Sequence, residues 1–150
     1  MVRVLLSTQS MQTPGKLLNE LLQQHEQIRM LIRRCDELLD LTDRDPSQVQ
    51  ELVLAVARLR WAVESHNRVE EQLLSPVLRE IDSFGDVRVE HMVDAHRKEH
   101  AQIGERLDKP VVDSLRQTLG LLREHLEAEE RYFLTSRVLR DDLVTLEGGG

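Results

Sequence analysis

The sequence predicts an all-α protein, an up-down-up-down antiparallel four-helix bundle with an internally duplicated hairpin. Three observations predict it. Aromatic residues make up only 3% of the 150 residues, so the core must be built from Leu, Val and Ile, which suits packed helices better than a sandwich or barrel. Apolar residues recur at alternating steps of three and four along four stretches of roughly 20–30 residues, joined by short polar breaks. The two halves of the chain also carry matching strings. His25-Glu26-Gln27-Ile28 parallels His100-Ala101-Gln102-Ile103, and His66-Asn67-Arg68-Val69-Glu70-Glu71 parallels His125-Leu126-Glu127-Ala128-Glu129-Glu130. Two copies of one hairpin about a pseudo-two-fold axis would bring their matching positions together in the core.

Each element has its own signals. Residues 1–12 show no sustained period and read as an arm, residues 13–141 as the bundle, and residues 142–150 as a frayed tail. Thr13-Pro14 supplies a capping hydroxyl and a proline at the first helical position. The first stripe is Leu18, Leu21, His25, Ile28, Ile32, Cys35 and Leu39, and the polar run Thr42-Asp43-Arg44-Asp45-Pro46 ends that helix near Leu41. Asp45, Pro46 and Gln48 then form a capping-box-like start for the second.

The second stripe is Leu52, Ala55, Leu59, Ala62, His66, Glu70, Leu73 and Val77, with Pro76 expected to kink the helix or end its regular part. After the turn Ser83-Phe84-Gly85-Asp86, with Asp86 as cap, the third stripe is Val89, Val93, His96, His100, Ile103 and Leu107. Lys109-Pro110 opens the fourth, striped by Leu115, Leu119, Leu122, His125, Glu129 and Tyr132. Gly120 lies inside it at a cost of about 1 kcal/mol relative to alanine. A close packing contact is the one reason the sequence offers.

Charge and cysteine usage narrow the function classes. The net charge of −7 argues against nucleic acid or an anionic membrane, since both require a basic face. The single cysteine, Cys35, forms no internal disulfide framework. Val2-Arg3-Val4-Leu5-Leu6 is too short for a signal-peptide core, and no long apolar run occurs. The expected location is the cytoplasm.

The chemistry lies in polar residues placed where the stripes require apolar ones: His25, His66, Glu70, His96, His100, His125 and Glu129. An unpaired buried polar group costs about 1–3 kcal/mol, and a domain of this size has only ~5–15 kcal/mol of net stability. A metal centre would satisfy all of them at once. Residues four apart share a helix face, with Cβ atoms roughly 5–6 Å apart. His96 with His100, His66 with Glu70, and His125 with Glu129 therefore form three ligand pairs. Five imidazoles and two carboxylates exceed the needs of one ion, so two carboxylate-bridged ions are expected. Ligation without thiolate fits iron or manganese, with zinc also open.

This pattern resembles the hemerythrins and the wider hemerythrin-like HHE cation-binding domains, over roughly Leu17 to Arg140. The resemblance rests on His25 in the first helix, H-x-x-x-E at His66 and Glu70, H-x-x-x-H at His96 and His100, and the histidine-carboxylate motif from His125. It implies a non-haem di-iron site in the bundle core. His96, His100 and His125 would hold one iron and His25 and His66 the other, with Glu70, a fourth-helix carboxylate and a solvent oxygen as bridges. The two-histidine iron would keep an open position for O₂. Hemerythrins proper place that fourth-helix carboxylate five residues after its histidine, at Glu130, whereas many HHE domains place it four after, at Glu129. Four residues is about 40° of rotation and five about 140°, so Glu129 is the choice, and Glu130 would need a local bulge.

The implied function is binding of O₂ for carriage, storage or sensing, rather than enzymatic turnover. A peroxide- or nitric-oxide-reactive centre and an iron-storing or iron-sensing protein are the alternatives. The ferritin-like class is disfavoured because no Glu precedes any histidine by three residues. His91 is expected at the surface, and Glu71 and Glu130 in solvent or orienting a ligating histidine. Cys35, Trp61 and Phe84 are expected in packing, and Tyr132 either in packing or facing the site.

Overall fold

The first helix starts where its capping signals place it. In the computed structural model α1 runs Pro14–Arg44, with Pro14 at the first position and Thr13 Oγ1 accepting from the Lys16 amide at 3.3 Å. The structure describes residues 13–81, 85–108 and 112–141. The arm 1–12, the tail 142–150, Phe84 and Lys109-Pro110 lie outside the described residues, as do the side chains of His96 and His100.

The helix α1 continues three residues past the expected end at Leu41. The buried Thr42 donates its hydroxyl to the Leu38 carbonyl at 2.6 Å, and Arg116 pairs with Asp40 at 2.9 Å and Asp43 at 2.8 Å. These contacts keep a polar run helical that local composition alone would break. Asp45 then stops one helix and starts the next. Its amide donates to the Leu41 carbonyl at 2.8 Å, and its side chain accepts from the Ser47 amide at 3.1 Å. A single 3₁₀ turn, Pro46–Gln48, leads into α2, Val49–Val69.

The second rod changes register where Pro76 requires it. A proline cannot donate to the ladder, and its ring crowds the carbonyl four residues back. The chain widens into a π-helical stretch, Glu70–Leu74, in which the Ser75 amide donates to the Glu70 carbonyl, before α3, Ser75–Ile81, resumes the α form. The extra residue moves the stripe on by one. Leu74 and Leu78 are the fully buried positions, while Leu73 and Val77 are only partly covered. Ahead of the π stretch, Val56 and Val63 are buried and Ala62 only partly so.

The third rod is α4, Gly85–Asp108, and the fourth is α5, Val112–Tyr132. Asp86 lies inside the first turn of α4 rather than ahead of it, where a carboxylate still complements the positive end of the helix. The helix α1 packs on α2 and α5, and α4 packs on α2, α3 and α5, closing a four-helix bundle. No strand occurs among the described residues.

The core has two apolar parts. One holds Ile28, Ile32, Leu39, Leu59, Leu119 and Leu126 with their neighbours. The other holds Leu17, Leu21, Leu74, Met92 and Phe133 with theirs. Along α1 the switch from Leu21 to Ile28 passes through His25, and from α5 into the residue after it the switch from Leu126 to Phe133 passes through Glu129, with His125 beside Leu126. A polar layer therefore separates two leucine-rich ones. After α5 the chain turns through Thr135–Leu139 and caps the second core with Leu134, Val138 and Leu139. Asp141 Oδ1 accepts from the Gly15 amide at 2.7 Å, and a Cβ on Gly15 would lie 2.7 Å from that carboxylate.

Five expectations are settled by packing. Cys35 is a core residue, and burial pushes its thiol up to about 11, with Asp36 adding to the effect. His91 is exposed, with its ring 5.9 Å from that of Tyr132. Tyr132 is itself 49% exposed and packs in no core, and Phe133 takes the buried place instead. Trp61 is 69% exposed, against the expectation of packing. It lies two residues past Leu59, about 200° round the helix, on the outer face. Gly120 has no close contact either, since a Cβ added there meets nothing within 4 Å.

Candidate metal centre

The polar layer draws one side chain or more from three helical elements and the π stretch. His25 comes from the middle of α1, His66 from the last turn of α2, Glu70 from the first position of the π stretch, and Glu129 from the last turns of α5. All four are buried, and one ligand atom from each lies within 4.8 Å of every other.

Glu129 is the hub. Its Oε1 lies 3.2 Å from His25 Nε2, 3.4 Å from His66 Nε2 and 3.5 Å from His125 Nε2. Glu70 Oε1 contacts His66 Nε2 and lies 3.9 Å from His25 Nε2. The two imidazole nitrogens of His25 and His66 approach to 3.0 Å. Two lone pairs aimed at each other over that distance repel, so either a proton or a shared cation must sit between them.

The outer ring nitrogens are held as well. His25 Nδ1 lies 3.1 Å from Glu130 Oε2, which Arg29 also binds. His66 Nδ1 lies 2.8 Å from Gln24 Oε1. His125 Nδ1 contacts Glu99 Oε2. An acceptor at Nδ1 fixes the proton there and leaves the Nε2 lone pair facing inward, the arrangement that metal-ligating histidines require.

Electrostatics give the same answer. Burial alone would push His25 down, but it is outweighed by Glu129, then Glu70 and Glu130, and the imidazole is raised from 6.5 to about 9. His66 is raised too, because Glu129 and Glu70 outweigh its burial. Glu130 is held below the usual carboxylate range by Arg29 and His25, despite a burial that would raise it. The centre is thus a pocket of excess negative charge that binds positive charge, either as protons or as a cation. Neutral imidazoles with hard carboxylates and no thiolate suit iron, manganese or zinc.

A sequence model of one family, the hemerythrin HHE cation-binding domain, matches residues 16–136. The chain belongs to that family. No curated protein and no solved structure matches it.

Within this HHE domain the structure brings together His25, His66, Glu70 and Glu129, with His125 adjoining through Glu129. His96 and His100 both lie on α4, one turn apart, with their side chains outside the described residues. Glu129 faces into the cluster and Glu130 lies at its edge, the outcome that unbroken helical rotation gives. Glu71 is exposed. Sequence reasoning missed Gln24, Glu99 and Arg29. The available signal was adjacency: Gln24 and Glu99 each immediately precede a stripe histidine, at positions able to reach the outer nitrogen of a histidine on another helix.

Proposed function

We propose that this HHE domain is a cytoplasmic di-iron protein that binds O₂, for carriage, storage or sensing. In this reading the bundle is antiparallel and duplicated, so that His66–Glu70 and His125–Glu129 are the same motif used twice. The observation that supports it best is Glu129 Oε1, placed within 3.5 Å of three inward-facing imidazole nitrogens. A carboxylate in that position serves two ions as readily as one.

The residues divide the work by position. His25 and His66 would hold one iron, and His125 with His96 and His100 the other, with Glu70 and Glu129 between them. Such a pair would supply the electrons that O₂ binding draws on. The protein's own part is to hold the ligands still and keep water out. Glu130, Gln24 and Glu99 fix the three rings from behind, and the two apolar cores close the layer from above and below.

The test is metal content together with the visible spectrum of protein purified in air without added metal. Two irons per chain, with charge-transfer bands that disappear on deoxygenation and return in air, are expected. Iron-free protein, or a spectrum indifferent to oxygen, would overturn the reading.

A further inference from the structure

We propose that the outer face of α2 is an interface between two copies of this chain, joined antiparallel, with Trp61 of each against the first half of α2 in the other.

The helix is apolar on both sides. From Val49 to Trp61 only Gln50, Glu51, Arg58 and Arg60 are polar. One stripe, Leu52, Val56, Leu59 and Val63, is buried in the first apolar core. A second stripe, Val53, Ala57 and Trp61 with Leu54 beside it, is exposed, Val53 at 50% and Leu54 at 53%. It lies about 150° round the helix from the first. A surface helix normally has one apolar stripe, and a helix apolar all round is a covered one. A contiguous exposed apolar patch of this kind marks a site of association.

Shape points to a second copy as the cover. Trp61 stands as the shared wall of two shallow grooves. One, towards α1, is lined by Gln27, Leu31, Leu54 and Ala62. The other, towards α4, is lined by Val53, Val56 and Leu107. A projecting side chain and grooves to receive it therefore occupy the same face, as a two-fold interface requires, since that surface must fit itself. Ala57, in the middle, has no bulk to hold two helices apart.

Charge sets the direction. Val49 to Ala57 carries Glu51 and no cation, whereas the rest of α2 carries Arg58, Arg60 and Arg68. A parallel pair would set arginines against arginines. An antiparallel pair sets each arginine-rich half against the half that holds Glu51. Arg60 already pairs with Glu64 at 3.1 Å, but neither Glu51 nor Arg58 has an ion-pair partner among the described residues. A face one α2 long and two helices wide, ~30 Å by ~20 Å, offers on the order of 600 Å² per partner, the low end of specific interfaces. Pairing is accordingly expected at high rather than low micromolar chain.

Trp61 is the only tryptophan, so its fluorescence reads this face alone. For the full chain, the sedimentation mass should rise from one chain to two between micromolar and near-millimolar concentration, and the indole emission should shift to the blue in step. Ala57→Glu, at an exposed position, should keep the wild-type helical content by circular dichroism, with the mass of one chain and a red emission throughout. Glu51→Arg should weaken pairing about tenfold, and adding Arg58→Glu should restore most of that loss. A single-chain mass at every concentration would overturn the proposal. With a red emission it would leave the face to a different protein, and with a blue one it would put residues of the same chain over it. A two-chain mass with a red emission, a folded Ala57→Glu chain that still pairs, or no rescue by the double exchange would overturn it equally.

Discussion

His25 and Glu130 lie on different helices, yet His25 Nδ1 sits 3.1 Å from Glu130 Oε2 while the Nε2 of the same ring faces Glu129 at 3.2 Å. Two consecutive acidic residues of α5 thus take the two sides of one imidazole. The inner one offers a ligand oxygen, and the outer one fixes the ring.

That division predicts how Glu130 variants behave. Glu130 is part-exposed and joined to Arg29, but it also accepts from Nδ1 of the buried His25, so its removal should cost about 1–3 kcal/mol. Metal affinity should fall about 10–100-fold in Glu130→Ala, the usual penalty for losing the partner of a ligating histidine. Glu130→Gln should lose less, because an amide oxygen still accepts from Nδ1. Competition against a chelator of known affinity measures both. Unchanged affinity in Glu130→Ala would show that the ring is oriented by other contacts.

Glu129→Gln is expected to be the more severe change. It preserves shape but removes the charge shared by three imidazoles. The chain should purify without metal, and metal addition should no longer raise its melting temperature, since a ligand stabilises a fold only by binding the native state. Glu71→Gln, on the exposed face of the π stretch, should load normally. If Glu129→Gln still loads its full metal complement, the hub reading fails.

The inward-facing residues were legible because helix periodicity is a strong constraint and each broke it in the same way. His25 stands between Leu21 and Ile28, and Glu129 one turn after His125, so rotation alone placed them in the core. Their supports were not legible in the same sense. Whether Gln24 meets His66, or Glu99 meets His125, depends on how helices distant in sequence are juxtaposed. Leu73 and Val77 do pack against the second core, but only partly buried, and Leu74 and Leu78 take the fully buried places, because a π insertion ahead of Pro76 advances the register by one residue, and periodicity assumes no insertion. Trp61, expected in packing, lies about 200° round the helix from the buried Leu59 and so faces outward.

Two surface-side variants test the packing. Gly120→Ala should stabilise the chain by about 1 kcal/mol, because the added Cβ meets nothing within 4 Å. Trp61→Ala should change stability by no more than about 0.5 kcal/mol, whereas Leu59→Ala, fully buried, should cost about 2–5 kcal/mol. Denaturant unfolding followed by circular dichroism reads all three. A loss in Gly120→Ala would show that the face at Gly120 is not open.

The raised His25 makes metal binding pH-dependent, and the sign follows from linkage. Its folded value, about 9, lies above the ordinary 6.5. For the metal-free chain, the stabilisation from this proton is complete below about 6.5 and is lost as pH rises through about 9. His66, raised by the same carboxylates, acts in the same direction. A cation needs the Nε2 lone pair that the proton occupies, so loading must expel the proton. Apparent affinity should therefore rise between pH 6.5 and 9, about tenfold per pH unit for each proton released. Calorimetric titration with zinc at pH 7.5, in two buffers of different ionisation enthalpy, counts those protons directly. One or more per chain is expected from the wild type. In Glu129→Asn the strongest support of the raised imidazoles is gone, so whatever binding survives should release fewer. An affinity flat across this window would mean that the cation and the proton do not compete for His25, and that the ions are held elsewhere.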